Sequence, residues 1–328
     1  MSVACLAFTE KGYTLACRLA MALDGTADRS GQPLTLQQWT QTHFGQEKAL
    51  VYVGAVGIAV RAIAPHLRGK TVDPAVVAVD ECGHFAVPLV SGHLGGANDL
   101  ARRISAICGA EPVVTTATDS NGVFAVDEWA RRQHCAVLHA SCIRRVSGAL
   151  LAGKTIRVKT EFPVRGASPE HVTLVTEDGY DVYVGFATQP TSVLWLVPQN
   201  VVLGAGCRKG TDCLALESAL EALPLPEQAI CAVASIDLKA KEPGLLEFCR
   251  NHGWPLQTYS AAELKSVQGD FTASDFVEKI TGVDNVCERA AVRASGGTLL
   301  YRKMAGGGVT LAAAVKPISL DWRFHNEW

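Results

Sequence analysis

Four turns of the chain carry side chains able to do chemistry, and each follows an apolar run. SGHLGGAND (91–99) holds three glycines and His93, the single titratable side chain of residues 91–98. An imidazole there can act as acid or base near neutral pH. TATDSNG (116–122) offers Asp119, and Asp80 with Glu81 closes a further apolar run. Two neighbouring carboxylates can have separated pKa values and so divide acid and base roles. Plainer readings fit the same residues: a histidine bonded to its own turn, an Asp119 that caps the next helix, and Asp80 and Glu81 as turn-formers. The sequence leaves both sets open.

GAGCRKGTD (204–212) crowds Cys207, Arg208 and Lys209 into one turn ahead of a helix that Thr211 or Asp212 could cap. A thiol beside two cations at a helix start has a lowered pKa and is reactive. The same turn can grip a carboxylate with Arg208 and Lys209 while Cys207 fills space, and this reading is favoured because no base for Cys207 can be named. SIDLKAKEPG (235–244) adds Asp237, Lys239, Lys241 and Glu242, or merely a solvated helix start. VGAVGIAVR (53–61) contributes Gly54 and Arg61. None of these turns satisfies GxGxxG or GxxxxGK[ST], so nucleotide recognition is set aside and generic anion binding kept.

Strand-like runs alternating with amphipathic segments must position these turns, which predicts an α/β fold. The expectation is two doubly wound α/β units joined by a small β-rich linking domain, with boundaries at 1–135, 136–198 and 199–328. In the first, VACLAFT, ALVYVG, AVVAVD, HFAVPLV and EPVVTTA read as strands, and 10–24, 55–65, 97–109 and 124–134 as helices. The last opens on NVVLGAG and ends in the hairpin TLLYRKMAGGGVTLAAAVK (298–316). In an open α/β sheet ligands bind at the carboxyl ends of strands, so the glycine turns are expected to converge.

Composition removes several classes of function. The chain of 328 residues is 48% hydrophobic and 19% charged, with a net charge of −2. It therefore has no basic field for nucleic acid, and it has no apolar run long enough to span a membrane. Eleven cysteines are scattered without CxxC or a close Cys/His cluster, which fits reduced thiols rather than a zinc site or a disulfide framework. MSVACLAFTE has no basic stretch and reads as a first strand rather than a secretory signal. A cytoplasmic protein is expected.

Taken together, GAVGIAVRAIAPHLRGK, VDECGHFAVPLVSGHLGGANDLARRI, VVTTATDSNGVFAVDE, GAGCRKGT, SIDLKAKEPGLLEF and the terminal VCERAAV and GGTLLYRKMAGGGVTLAAA resemble the CbiG family. The resemblance spans nearly the whole chain, weakly in the middle, and the C-terminal region is similar to CobE. Cys82 and His84 depart from the usual side chains of their turn, so His84 is given no catalytic role. The family is the cobalt-precorrin-5A hydrolase of anaerobic cobalamin biosynthesis. The resemblance implies that the ring A δ-lactone of the macrocycle is opened and acetaldehyde expelled to give cobalt-precorrin-5B.

On that reading His93 is the first candidate for the catalytic base, followed by Asp119 and Glu81. Candidate substrate-binding residues are Gly54, Arg61, Ser91, Gly92, Gly95, Gly96, Asn98, Thr118 and Asn121, then Gly206, Cys207, Arg208, Lys209, Thr211, Asp237, Lys239 and Lys241. Glycine-turn amides would bind the developing oxyanion, and cations the acetate and propionate groups. Cobalt arrives in the substrate, so no cofactor and no protein-held metal is expected. The cobalt-precorrin macrocycle is the expected partner, with other enzymes of the pathway and without nucleic acid or membrane. A rival reading is a tetrapyrrole-binding or transfer protein of the same pathway that catalyses nothing.

Overall fold

A computed structural model describes residues 2–323. The first of two compact units runs up to Arg132 and adds Ala140–Thr155 and Pro169–His171; the second comprises Gln133–His139, Ile156–Ser168 and the chain from Val172 onward.

The first unit is built from β1 (Val3–Ala7), α1 (Glu10–Leu23), β2 (Thr26–Arg29), α2 (Leu36–His43), β3 (Ala49–Val53), α3 (Val56–Ile63), β4 (Ala75–Val79), β5 (Phe85–Val90), α4 (Ala97–Cys108), β6 (Glu111–Pro112), α5 (Ala117–Ser120), α6 (Val126–Arg132) and α7 (Cys142–Leu151). Its sheet has the order β2-β1-β3-β4-β5-β6. VACLA, ALVYV and AVVAV are buried at every residue, as strands covered on both faces must be. Alternate residues serve opposite cores. Cys5, Val51 and Val77 pack with Leu19, Leu100 and Ile104, while Leu6, Tyr52 and Val76 pack with Trp39 and Ile63.

One reversal in this sheet decides the geometry of the site. β1 to β4 are parallel, but β5 pairs antiparallel with β4, with Val79 opposite Ala86 and Val76 opposite Val90, and β6 runs parallel to β5. A turn as short as 80–84 can join only antiparallel neighbours. The chain leaving β5 therefore emerges at the amino edge of β1, β3 and β4.

The structure differs from the sequence reading in two places. β2 and α2 fill a region to which no element was given. EPVVTTA is a strand only at Glu111–Pro112: Pro112 has no N–H to donate, and the chain departs toward α5 after the Val113 amide reaches the Ala86 carbonyl at 2.9 Å.

The second unit contains β7 (Cys135–Leu138), β8 (Ile156–Thr160), β9 (Val164–Arg165), β10 (Val172–Leu174), β11 (Val182–Val184), β12 (Leu194–Pro198), β13 (Val201–Cys207), α8 (Cys213–Glu221), β14 (Ile230–Ile236), α9 (Pro243–His252), β15 (Leu256–Tyr259), α10 (Ala261–Lys265), α11 (Asp275–Thr281), α12 (Cys287–Ser295), β16 (Thr298–Gly306), β17 (Val309–Val315) and β18 (Leu320–Asp321). One sheet has the order β10-β8-β11-β12-β7 and another β15-β14-β13-β17-β16; β18 pairs with β9. The second sheet is helix-covered on both faces, Leu203 and Val233 packing with Leu216 and Phe248, and Val202 and Ala234 with Val286 and Ala290. Trp195 and Val197 of β12 share a core with Val201 and Ala313 of that sheet. The protein is thus α/β. Among the described residues no helix is long and apolar enough to cross a membrane.

Candidate functional site

SGHLGGAND leaves β5 and folds onto itself before α4. The Gly96, Ala97 and Asn98 amides donate to the carbonyls of His93, Ser91 and Gly92 at 3.0–3.1 Å. The Ser91 hydroxyl donates to the Asp73 carbonyl at 2.9 Å. Gly96 has φ +85° and Gly92 faces Asn98 so closely that a Cβ would stand 2.8 Å from its Oδ1, which accounts for two of the glycines. These three amides are consumed inside the turn. They are therefore not the amides that could meet an oxyanion.

What the turn presents is side chains. His93 Nε2 lies 2.8 Å from Asp119 Oδ2, and Nδ1 lies 3.2 Å from Asp127 Oδ1. Asp119 also accepts from Asn98 Nδ2 at 3.1 Å, from the Thr116 hydroxyl and from the Arg102 guanidinium. Thr118 Oγ1 stands 3.4 Å from His93 Nε2. Asp119 therefore does not cap a helix; its oxygens serve the cluster. Beyond it, Asp99 takes Arg132 at 2.8 Å, Arg102 at 3.2 Å and Arg131, and Glu128 takes Arg132 at 2.9 Å.

Electrostatics fix the resting protonation. Burial alone would push the His93 pKa down, but the hydrogen bonds and charges of Asp127, then of Asp119, outweigh it and raise the value to about 9. Burial would likewise raise both carboxyls, yet Asp119 is held low by Thr116, His93 and Arg102, and Asp127 by His93. His93 is thus an imidazolium at neutral pH. Four cations (His93, Arg102, Arg131 and Arg132) then balance four carboxylates (Asp99, Asp119, Asp127 and Glu128). Ligand-type atoms of His93, Asp119 and Glu128 lie within 4.8 Å of one another, but the carboxylates are already held by Arg102 and Arg132.

The structure brings together Ser91, Gly92, His93, Gly95, Gly96, Asn98, Thr118 and Asp119. Asn121 is exposed at the end of α5, its Nδ2 donating to the Ala117 carbonyl at 2.8 Å. Glu81 is set apart. It lies at the far end of β5, accepting from the Thr9 hydroxyl at 2.8 Å, and a six-residue strand spans roughly 20 Å. Asp80 is a turn-former: burial would raise its pKa, but the Phe85, Cys82 and His84 amides hold it low. Gly54 and the exposed Arg61, in the last turn of α3, follow the carboxyl end of β3 and do not join the His93 cluster.

Asp127, Arg102, Asp99, Glu128, Arg131 and Arg132 escaped the sequence reading. VDEWARR reads as an ordinary helix with acids first and bases last. A signal lay in Trp129, since a helix burying that ring also draws Asp127 and Glu128 out of water.

In the second unit the turns after β13 and β14 meet at one edge. Glu242, buried, accepts from the Gly210 amide at 2.7 Å and from Lys239 Nζ at 2.8 Å. Asp212 caps α8 through the Ala215 amide at 2.9 Å, and the Thr211 hydroxyl donates to the Arg208 carbonyl at 2.9 Å. Burial pushes the half-buried Cys207 thiol up; Lys239 opposes this, while Glu242 adds to it. This environment disfavours an activated thiol. Gly206 lies in β13, its carbonyl accepting from the Thr310 hydroxyl at 3.2 Å. Asp237, Arg208, Lys209 and Lys241 are exposed here, whereas Lys239 is tied to Glu242.

Comparison with known proteins matches residues 38–119 to the family described as Cobalamin synthesis G N-terminal and residues 201–314 to Cobalamin synthesis G C-terminus. Cobalt-precorrin-5A hydrolase of Salmonella typhimurium is 33% identical over 96% of this chain and 97% of its own length. Protein CobE of a Sinorhizobium species is 31% identical over 35% of this chain and 79% of its own. A solved cobalamin biosynthesis protein G homologue of Sulfolobus solfataricus is 20% identical, covers 96% of this chain and 97% of its own, and has a TM-score of 0.44.

Proposed function

Because the chain belongs to the CbiG family of cobalt-precorrin-5A hydrolases, we propose that it opens the ring A δ-lactone of cobalt-precorrin-5A and releases acetaldehyde to give cobalt-precorrin-5B. The observation that carries this reading is 33% identity extending over 96% of the chain and 97% of a hydrolase of that name. The chain is an enzyme of cobalamin biosynthesis, and its substrate is a cobalt-precorrin. Cobalt enters as part of the substrate, and the reading needs no cofactor from the protein. The same reading places the enzyme in the cytoplasm, exchanging substrate and product with other enzymes of the pathway.

The His93 cluster supplies what the chemistry needs. His93 rests protonated, so it begins as the acid and Asp119 as the base, reversing the first assignment of His93. Water adds to the lactone carbonyl and gives its proton to Asp119, while the imidazolium protonates the ring oxygen as the acyl–oxygen bond breaks. Thr118 stands beside Nε2 to meet the developing oxyanion. The freed hydroxyl then returns a proton to the pair. Its carbon–carbon bond breaks, the electron pair enters the conjugated macrocycle, and acetaldehyde departs. Asp127 holds the ring in place throughout. In the second unit, the exposed Arg208, Lys209 and Lys241 are suited to holding carboxylate groups, and Lys239 keeps their turn in shape through Glu242.

Anaerobic incubation of purified protein with cobalt-precorrin-5A tests the assignment through acetaldehyde formation. His93→Ala should bind the macrocycle and release almost none. Undiminished turnover would overturn the role of His93; binding without any acetaldehyde from the unaltered protein would leave the binding or transfer reading in its place.

A further inference from the structure

The turn joining β4 to β5, at the edge remote from His93, takes no part in that chemistry, yet it gathers an unusual donor set. Asp80 Oδ1 lies 3.8 Å from His84 Nδ1, and one ligand atom each from Asp80, Cys82 and His84 fall within 4.8 Å of one another. Cys82 and His84 are exposed. A cation already rests on the sulfur: Lys11 Nζ stands 2.9 Å from Cys82 Sγ.

We propose that this turn binds a divalent transition-metal ion of borderline softness, such as zinc or cobalt(II), through Cys82 Sγ, His84 Nδ1 and Asp80 Oδ1. The site revises the expectation that the protein holds no metal and stands independently of the lactone reading. Four-coordinate ligands at about 2.0–2.3 Å from a metal are separated by roughly 3.3–3.8 Å. Small rotations of two exposed side chains supply the difference. One sulfur, one nitrogen and one oxygen suit zinc, cobalt or nickel and disfavour magnesium and calcium, which take oxygen shells.

The backbone is prepared for this. Asp80 accepts from the Cys82, His84 and Phe85 amides at 2.7–2.9 Å, and Gly83 turns the chain at φ +72°. Asp80 Oδ1 accepts from the Cys82 amide alone and so retains a lone pair for the metal, and water completes the shell. Lys11 is the competitor, an ammonium that the metal must displace from sulfur. The affinity is therefore set by how firmly a flexible lysine holds on.

Titrating the metal-free reduced protein with cobalt(II) chloride under nitrogen tests the site. One equivalent should bind with a thiolate-to-cobalt charge-transfer band. Cys82→Ser should abolish the band, and His84→Ala should weaken binding by about tenfold or more. Lys11→Gln should tighten it, an effect that loss of folding cannot mimic. Acetaldehyde formation should be unchanged in all three variants. Equal binding and an equal band in the protein with and without Cys82→Ser would overturn the proposal, as would Lys11→Gln weakening the affinity.

Discussion

Asp127 Oδ1 lies 3.2 Å from His93 Nδ1, on the edge of the ring opposite the one that meets Asp119. A second carboxylate there makes the imidazole a fixed cation rather than a free base. Asp127→Asn should remove the charge that contributes most to the raised His93 pKa. His93 should then titrate well below about 9 in an NMR titration, and acetaldehyde release should fall by about a hundredfold or more. An unchanged His93 titration would show that Asp119 alone holds the proton.

Stability should depend on pH through the same cluster. The folded pKa of His93, about 9, exceeds its ordinary 6.5, so its contribution is complete below 6.5 and disappears as pH rises through about 9. The loss is up to ~3 kcal/mol. Asp119 and Asp127 have lowered values, so their contribution is present above the ordinary carboxylate range and disappears as pH falls through the lowered values. Urea unfolding near pH ~6.5 and pH ~9.5 should give the lower free energy at the alkaline value. Rate should also fall above about pH 9 as the imidazolium deprotonates.

Gly92→Ala would place a methyl 2.8 Å from Asn98 Oδ1 and push that amide off Asp119. Thermal unfolding should record a loss of about 1–3 kcal/mol. The rate should fall further than so small a destabilisation explains, since a folded population remains while the acid–base pair is displaced. Full activity would detach Asn98 from the machinery.

Cys207→Ala should keep turnover within about threefold, because a half-buried thiol with a raised pKa is a poor nucleophile. Its alkylation by iodoacetamide at neutral pH should lag behind that of the exposed Cys17 and Cys82. Inactivation that tracks modification of Cys207 would restore the nucleophile reading.

The α/β alternation and the strands of the parallel core could be read from residue order, and His93 and Asp119 stood out as separate candidates, though not as partners. They depend on apolar runs and on turns, which are local. β2 could not: TADR is a short polar edge strand whose pairing with β1 is a tertiary choice. Asp127 was equally hidden, because nothing in a helical charge pattern reveals which neighbouring side chain it meets. Glu81 shows a different failure. Its short turn implied an antiparallel β5, and that alone places it at the opposite edge from His93; sheet direction outweighs nearness in sequence.

The same reversed strand insulates two rims of one sheet from each other. Around residues 91–99 the Gly96, Ala97 and Asn98 amides, the Asn98 side chain and the Asp99 carboxylate are all engaged, so lengthening that loop would dislodge the acid and base together. Residues 80–84 close on themselves through Asp80, with their side chains turned to water. A fluorophore on Cys82 would be a reporter roughly 20 Å from the reacting protons. In engineering terms, one hairpin gives the enzyme a rim for attachment and a rim for chemistry.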